Sequence, residues 1–129
     1  LEDDTLKALN KKLTRSHIDW CLKTVKEISH NDLRPHAFLM YGLPFQTKED
    51  HLRDVETVEK YNFYSQSTHL KVIRGTDLWN MRQEFGIEVD DDGMIKSTLF
   101  NGRNDLEELD LLMDKRNKDE IKEIWKGLL

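Results

Sequence analysis

An uncharged apolar run, Ala37-Phe-Leu-Met-Tyr41, stops at Gly42-Leu-Pro44, and a helix start follows at Thr47. A short apolar run between turn signals reads as a strand covered on both faces. Thr47 and Asp50 have the spacing of a capping box, which predicts a helix from about Lys48 to Tyr61 with a narrow buried stripe of Leu52, Val55 and Val58. The same order then repeats. "SQSTHLKVI" reads as a second strand, Gly75-Thr76 as break and cap, and Asp77 to Phe85 as a helix closed by Gly86. A strand–glycine–threonine–helix unit used twice predicts an α/β fold with parallel strands.

Upstream, "DDTLKALNKKL" reads as a short helix with Leu6, Leu9 and Leu13 on one side. "LTRSHIDWCLKTVKEIS" reads as a second, capped by Thr14 and striped by Ile18, Cys21, Leu22, Val25 and Ile28. Pro35 blocks continuation after "HNDLRP". Downstream, "EVDDDGMIK" reads as a loop or an irregular hairpin, and two helices are expected near Asp105–Asp114 and Lys118–Gly127, capped by Asn104 and Asn117. Two strands alone leave both sheet edges open. Either further strands lie within Gly86–Leu99, or they belong to sequence outside this chain. The start at Leu1 rather than Met agrees with an excerpt of a longer protein.

The 129 residues suit one domain, with 37% hydrophobic and 35% charged residues. That balance allows a thin core or an apolar face covered by another domain. A net charge of −5 argues against phosphate-backbone binding, despite Lys11-Lys12 and Lys115-Arg116. The single cysteine, Cys21, excludes an internal disulfide framework and any Cys-only metal or cluster site made by this chain alone. It suits a reducing, cytoplasmic setting, and its place on a helical stripe suits inert packing. No apolar run approaches the ~20 residues of a membrane span.

Ligands of parallel α/β sheets sit at the carboxyl ends of the strands. Tyr41–Pro44 and Val72–Gly75 are those ends here. Gly42 permits close backbone approach by a flat ligand, and the amides opening the helix after Thr47 offer an anion site; the plainer reading is a tight strand-to-helix turn. The five histidines show no HxxxH or HExxH spacing, although His36 and His69 fall on the two strands and are candidates for proximity. Asp90-Asp91-Asp92-Gly93 lacks the spacing of a calcium loop and reads as a solvated turn.

Three segments, in order, resemble the radical S-adenosylmethionine (SAM) superfamily. "EDDTLKALNKKLT" is similar to the helix after its fourth strand. "HAFLMYGLPFQTKED" resembles its fifth strand and turn, "YGLPG-x-T-x-E-D". "HLKVIRGTDL" resembles its sixth strand and "GT-x-L". The likeness covers about residues 2 to 80 and is strongest to the branch of oxygen-independent coproporphyrinogen oxidases, methylthiotransferases and cobalamin-binding members. It implies the C-terminal portion of a partial (βα)6 TIM-like barrel over residues 1–86, with a mainly helical C-terminal extension over 87–129 packed on it. It also implies SAM as cofactor, with Met40, Tyr41 and Gly42 flanking the adenine, Leu70, Lys71 and Val72 giving backbone contacts, and Lys11 near the ribose or carboxylate. The family's CxxxCxxC motif is not in this sequence, so the implied [4Fe–4S] cluster, and any cobalamin, would be bound elsewhere. Phe45 stands where the family usually has glycine, and Phe38 where some members keep an acidic ribose ligand.

These readings lead to two expectations. The first is a segment of a radical SAM enzyme, catalytically silent alone, whose partner is the missing N-terminal half-barrel or an equivalent protein. The second is a non-enzymatic α/β interaction module that binds through its open sheet edge. Neither identifies a substrate, and the acidic charge disfavours a nucleic-acid partner.

Overall fold

A computed structural model describes residues 3–29, 33–43, 46–92, 95–98 and 106–128. The elements run α1 (Asp3–Ala8), α2 (Arg15–Ile28), β1 (His36–Tyr41), α3 (Lys48–Lys60), β2 (Tyr64–His69), α4 (Asp77–Asn80), β3 (Ile87–Val89), β4 (Ile95–Thr98) and α5 (Leu106–Leu128). The fold is mixed α/β, with a two-stranded parallel sheet and a long C-terminal helix.

β1 and β2 pair in parallel from His36↔Tyr64 to Tyr41↔His69. The ladder reaches one residue further at each end, through Tyr64 N–H to the Pro35 carbonyl and Leu70 N–H to the Tyr41 carbonyl, both 2.8 Å. Each strand run leaves through a glycine in the left-handed region, Gly42 (φ 80°) and Gly75 (φ 86°), where a Cβ would be strained. Gln46 staples the first turn, its side chain bonding the Met40 carbonyl and the Leu43 amide, each at 3.3 Å. Thr47 and Asp50 form the anticipated reciprocal capping box, so α3 starts where the spacing placed it.

The two faces of this sheet differ. Ala37, Leu39 and Tyr41 share a face with Ser65, Ser67 and His69, against α3 and α5. His36, Phe38 and Met40 point the other way and are exposed, Phe38 at 75%. The continuous apolar run therefore does not mark a strand covered on both faces. The buried cluster lies on the helix side and at the strand ends, where Tyr41, Leu43, Val55, Leu70 and Val72 meet Ile87, Leu109 and Met113. Ile87 of β3 and Leu109 and Met113 of α5 thus share one core with the strand ends and α3.

The edges differ too. β1 pairs only with β2 among the described residues, leaving its other edge open. The far edge of β2 is closed by α5. The Asn117 side chain accepts from Ser67 N–H (2.9 Å) and donates to the Ser67 carbonyl (2.8 Å), as a neighbouring strand would. Asn117 is consequently no helix cap. α5 is one continuous helix through that position, kept there by tertiary bonds that outweigh asparagine's poor helix propensity. Asn104 and Asp105 lie outside the described residues.

Two further expectations change, and one open alternative is decided. α4 is a single turn rather than a helix to Phe85. Arg82 folds back to donate to the Trp79 carbonyl (2.6 Å) and stacks on the Trp79 ring (4.0 Å), and turns continue to Gly86. The segment after Gly86 is the irregular hairpin, β3 antiparallel to β4 with a register shift at Glu88/Val89. α2 has its Thr14 cap, completed by His17, but contains no buried residue, and Cys21 is exposed rather than packed.

Candidate functional site

The carboxyl ends of β1 and β2 bring together six of the seven residues singled out by the resemblance. Met40–Gly42 and Leu70–Val72 lie side by side, joined by the bond from Leu70 N–H to the Tyr41 carbonyl. Met40 presents its side chain on the open face at 45% exposure, and Lys71 is exposed. Tyr41, Leu70 and Val72 are buried in the core, so they can offer a ligand only backbone. Lys11 is not part of this constellation. It lines a separate hollow with Asp3, Lys7, Asn10, Lys12, Leu13 and Thr14. Pro44 and Phe45 lie outside the described residues.

Behind the strand ends is a polar cluster that the sequence did not reveal. The Tyr41 hydroxyl donates to Asp110 Oδ1 at 2.5 Å, and His69 Nδ1 lies 3.2 Å from the same oxygen. The Tyr41 and His69 rings stack at 5.0 Å and 16°, as expected of cross-strand partners, while His51 tilts against Tyr41 at 5.2 Å. His51 Nε2 is 2.9 Å from Ser67 Oγ. Burial, then the Asp110 hydrogen bond, raises the Tyr41 pKa and keeps the phenol neutral. Burial lowers His51 to about 4, and lowers His69 against the opposing pull of Asp110. Both histidines are therefore neutral near pH 7. His51 Nδ1 and His69 Nε2 are buried without a hydrogen-bond partner among the described residues.

A signal for part of this was present. His51, Asp54, Val55 and Val58 fall at i, i+3, i+4 and i+7, and all four are buried. The inward stripe of α3 is that set, with Leu52 only half-buried at its margin. Asp110 left no comparable trace, because its partners Tyr41 and His69 lie 69 and 41 residues away in the chain. His36 and His69 lie at opposite ends of the parallel pair, and His36 stacks on Phe38 instead. At the α3 N-terminus the Asp50 carboxylate accepts from Thr47 N–H and the Thr47 hydroxyl accepts from Asp50 N–H, so two of the amides there already have partners within the capping box.

Among the described residues, no group of three His, Cys, Asp or Glu side chains is arranged to hold a metal ion. None of the described helices is long and apolar enough to cross a membrane. No family model, curated protein or solved structure matches the chain.

Proposed function

We propose that this chain forms the closing two strands of a partial radical SAM barrel and supplies the adenine-side wall of its cofactor site. The observation that carries the reading is the adjacency of Met40–Gly42 and Leu70–Val72 at the carboxyl ends of parallel strands, where ligands of such sheets sit. The asymmetry of the sheet supports it. Helices cover one face, an apolar face is left open, α5 closes the last edge, and the edge toward earlier strands has no partner among the described residues.

In this reading Met40 lays its thioether against the adenine, and the bare backbone at Gly42 lets the ring approach. The Tyr41–Asp110–His69 cluster, with Tyr41 buried and Asp110 partly exposed, holds the two strand ends at a fixed separation. SAM, when bound, supplies the group chemistry; these residues bind and orient it. The implied cluster does not fit this chain, because its single cysteine is exposed on α2. Iron–sulfur ligation belongs to another segment, and the chain alone is catalytically silent.

Calorimetry tests the binding role. SAM titrated into the chain should bind weakly, and Met40→Ala should weaken it about five-fold, the loss of roughly 1 kcal/mol of apolar contact. Equal binding by both proteins, or no heat at millimolar SAM, contradicts it. The same open edge supports the interaction-module reading; SAM-independent association with a protein partner and no SAM binding would favour that one.

A further inference from the structure

We infer that the hollow between α1 and α2, lined by Lys7, Lys11 and Lys12, binds the phosphate group of a small phosphorylated molecule. The inference is independent of the SAM reading. It gives Lys11, which the resemblance set near the SAM ribose or carboxylate, a different ligand.

The chain builds this hollow from local bonds. Asn10 adopts the left-handed conformation (φ 53°) just past the end of α1. Lys11 N–H reaches back to the Leu6 carbonyl (2.8 Å), and Asn10 N–H to the Lys7 carbonyl (3.0 Å). This pair of bonds is the Schellman ending of a helix, with asparagine in place of the usual glycine. It reverses the chain and carries Lys11 and Lys12 back to the hollow that Lys7 lines. At the far side, Arg15 N–H donates to Asp3 Oδ1 (2.6 Å), tying the start of α2 to the start of α1. Residues 3–15 thus close into a ring. Thr5 and Leu6 are buried and Leu9 packs against the core, which anchors that ring.

Its charge selects the ligand. Among the described residues, none of the three ammonium groups has an ion-pair or hydrogen-bond partner. One carboxylate lines the hollow with them, Asp3, and its Oδ1 already accepts from Arg15 N–H. The chain as a whole carries −5, so a cationic hollow runs against its overall charge. The Thr5, Leu6 and Lys7 carbonyls, which would repel an anion at the end of α1, are taken by the turn. The first amides of α2 are taken too, Arg15 by Asp3 and His17 by the Thr14 hydroxyl, so the lysines carry the site. Ammonium groups are compact point charges that suit a tetrahedral phosphate, whereas planar carboxylates are read by a guanidinium fork. No arginine side chain lines the hollow, and no aromatic ring on which a base could stack. Its volume of about 420 Å³ falls in the roughly 300–1,000 Å³ range of small-molecule sites. The fit is therefore to a small phosphate ester or diphosphate, not to a nucleic-acid track.

NMR titration of the isotope-labelled full chain at fixed ionic strength tests this with pyrophosphate, ribose 5-phosphate, citrate and a short single-stranded oligonucleotide. Pyrophosphate and ribose 5-phosphate should give saturable shifts at the Lys7, Asn10, Lys11 and Lys12 amides. Citrate, which offers carboxylates alone, should bind at least about five-fold more weakly. Lys7→Gln and Lys11→Gln should each weaken pyrophosphate about five-fold, while Lys115→Gln, an exposed lysine on α5, should change nothing. Lys7 and Lys11 are themselves exposed, so their variants fold, and unchanged signals outside residues 3–15 report it. No saturable shift at ten-millimolar levels of either phosphate, on the order of weak small-anion binding, would overturn the inference. So would citrate binding as tightly as pyrophosphate, or equal weakening by Lys115→Gln. Tighter binding of the oligonucleotide than of ribose 5-phosphate would overturn it as well, because a polymer backbone would then be the ligand. SAM shifting the same four amides would assign the hollow to the cofactor site instead. Shifts of Met40–Gly42 with SAM are read separately, so either reading can fail without the other.

Discussion

Tyr41 stacks on His69 and meets His51 at a tilt, and its hydroxyl shares one Asp110 oxygen with His69. These contacts give the residue scale two predictions. Tyr41→Phe removes a bond to a charged acceptor and should lower stability by roughly 1–2 kcal/mol in urea unfolding; an unchanged midpoint would mean that Asp110 does not hold the strand ends. The second concerns pH. Burial holds His51 at about 4 in the folded protein, against 6.5 unfolded. The unfolded chain therefore takes up the proton first, and stability present above pH 6.5 is lost as pH falls toward 4, roughly 2 kcal/mol of it by pH 5. His69 acts with the same sign, and Glu120, raised by its own burial, with the opposite one. Comparing His51→Leu with the parent at pH 7.5 and pH 5 isolates the His51 share: the variant should lose markedly less stability between the two. A parallel loss in both proteins would show that His51 is not the titrating group. His51 was legible as a helix-period partner of Val55 and Val58. A polar histidine interrupts the apolar stripe of Leu52, Val55 and Val58, so the hydrophobic pattern alone does not place it inside.

At the scale of elements, local signals placed β1, α3 and β2, because capping boxes and strand-ending glycines act within a few residues. Long-range contacts decided the rest. Asn117 resembled a helix cap, since asparagine is weak in helix interiors, but its amide completes the open edge at Ser67. The two roles predict opposite signs. Asn117→Ala would stabilise by about 0.5 kcal/mol if only helix propensity mattered. With Ser67 N–H and C=O left unpaired it should destabilise by about 2 kcal/mol in urea unfolding. α2 offers a second test at this scale. It shows a helical stripe but contributes nothing buried, so tertiary packing gives it little support. Its amides should exchange at least about ten-fold faster than those of α3, which buries four residues. Equal protection would show that α2 is already packed as firmly as α3.

Across the whole molecule, apolar exposure lies along the first third of the chain and again on α5. Leu13, Trp20, Val25, Ile28, Leu33, Phe38 and Met40 are exposed, as are Leu111, Ile121, Trp125 and Leu128 on α5, while the core gathers around the strand ends and the inward side of α5. The composition anticipated a thin core or an apolar face covered by another domain; the described residues show a small buried core and exposed apolar side chains. What no local pattern showed was which edge of the sheet is finished, since that depends on a helix fifty residues beyond Ser67, the separation of Asn117. The central claim is that the unfinished sheet presents its two strand ends as one wall of a SAM site. The most direct measurement is a residue-resolved NMR titration of the isotope-labelled chain with SAM. Saturable shifts centred on Met40, Tyr41, Gly42, Leu70, Lys71 and Val72 are predicted; shifts confined to other surfaces, or none at millimolar SAM, would contradict the claim.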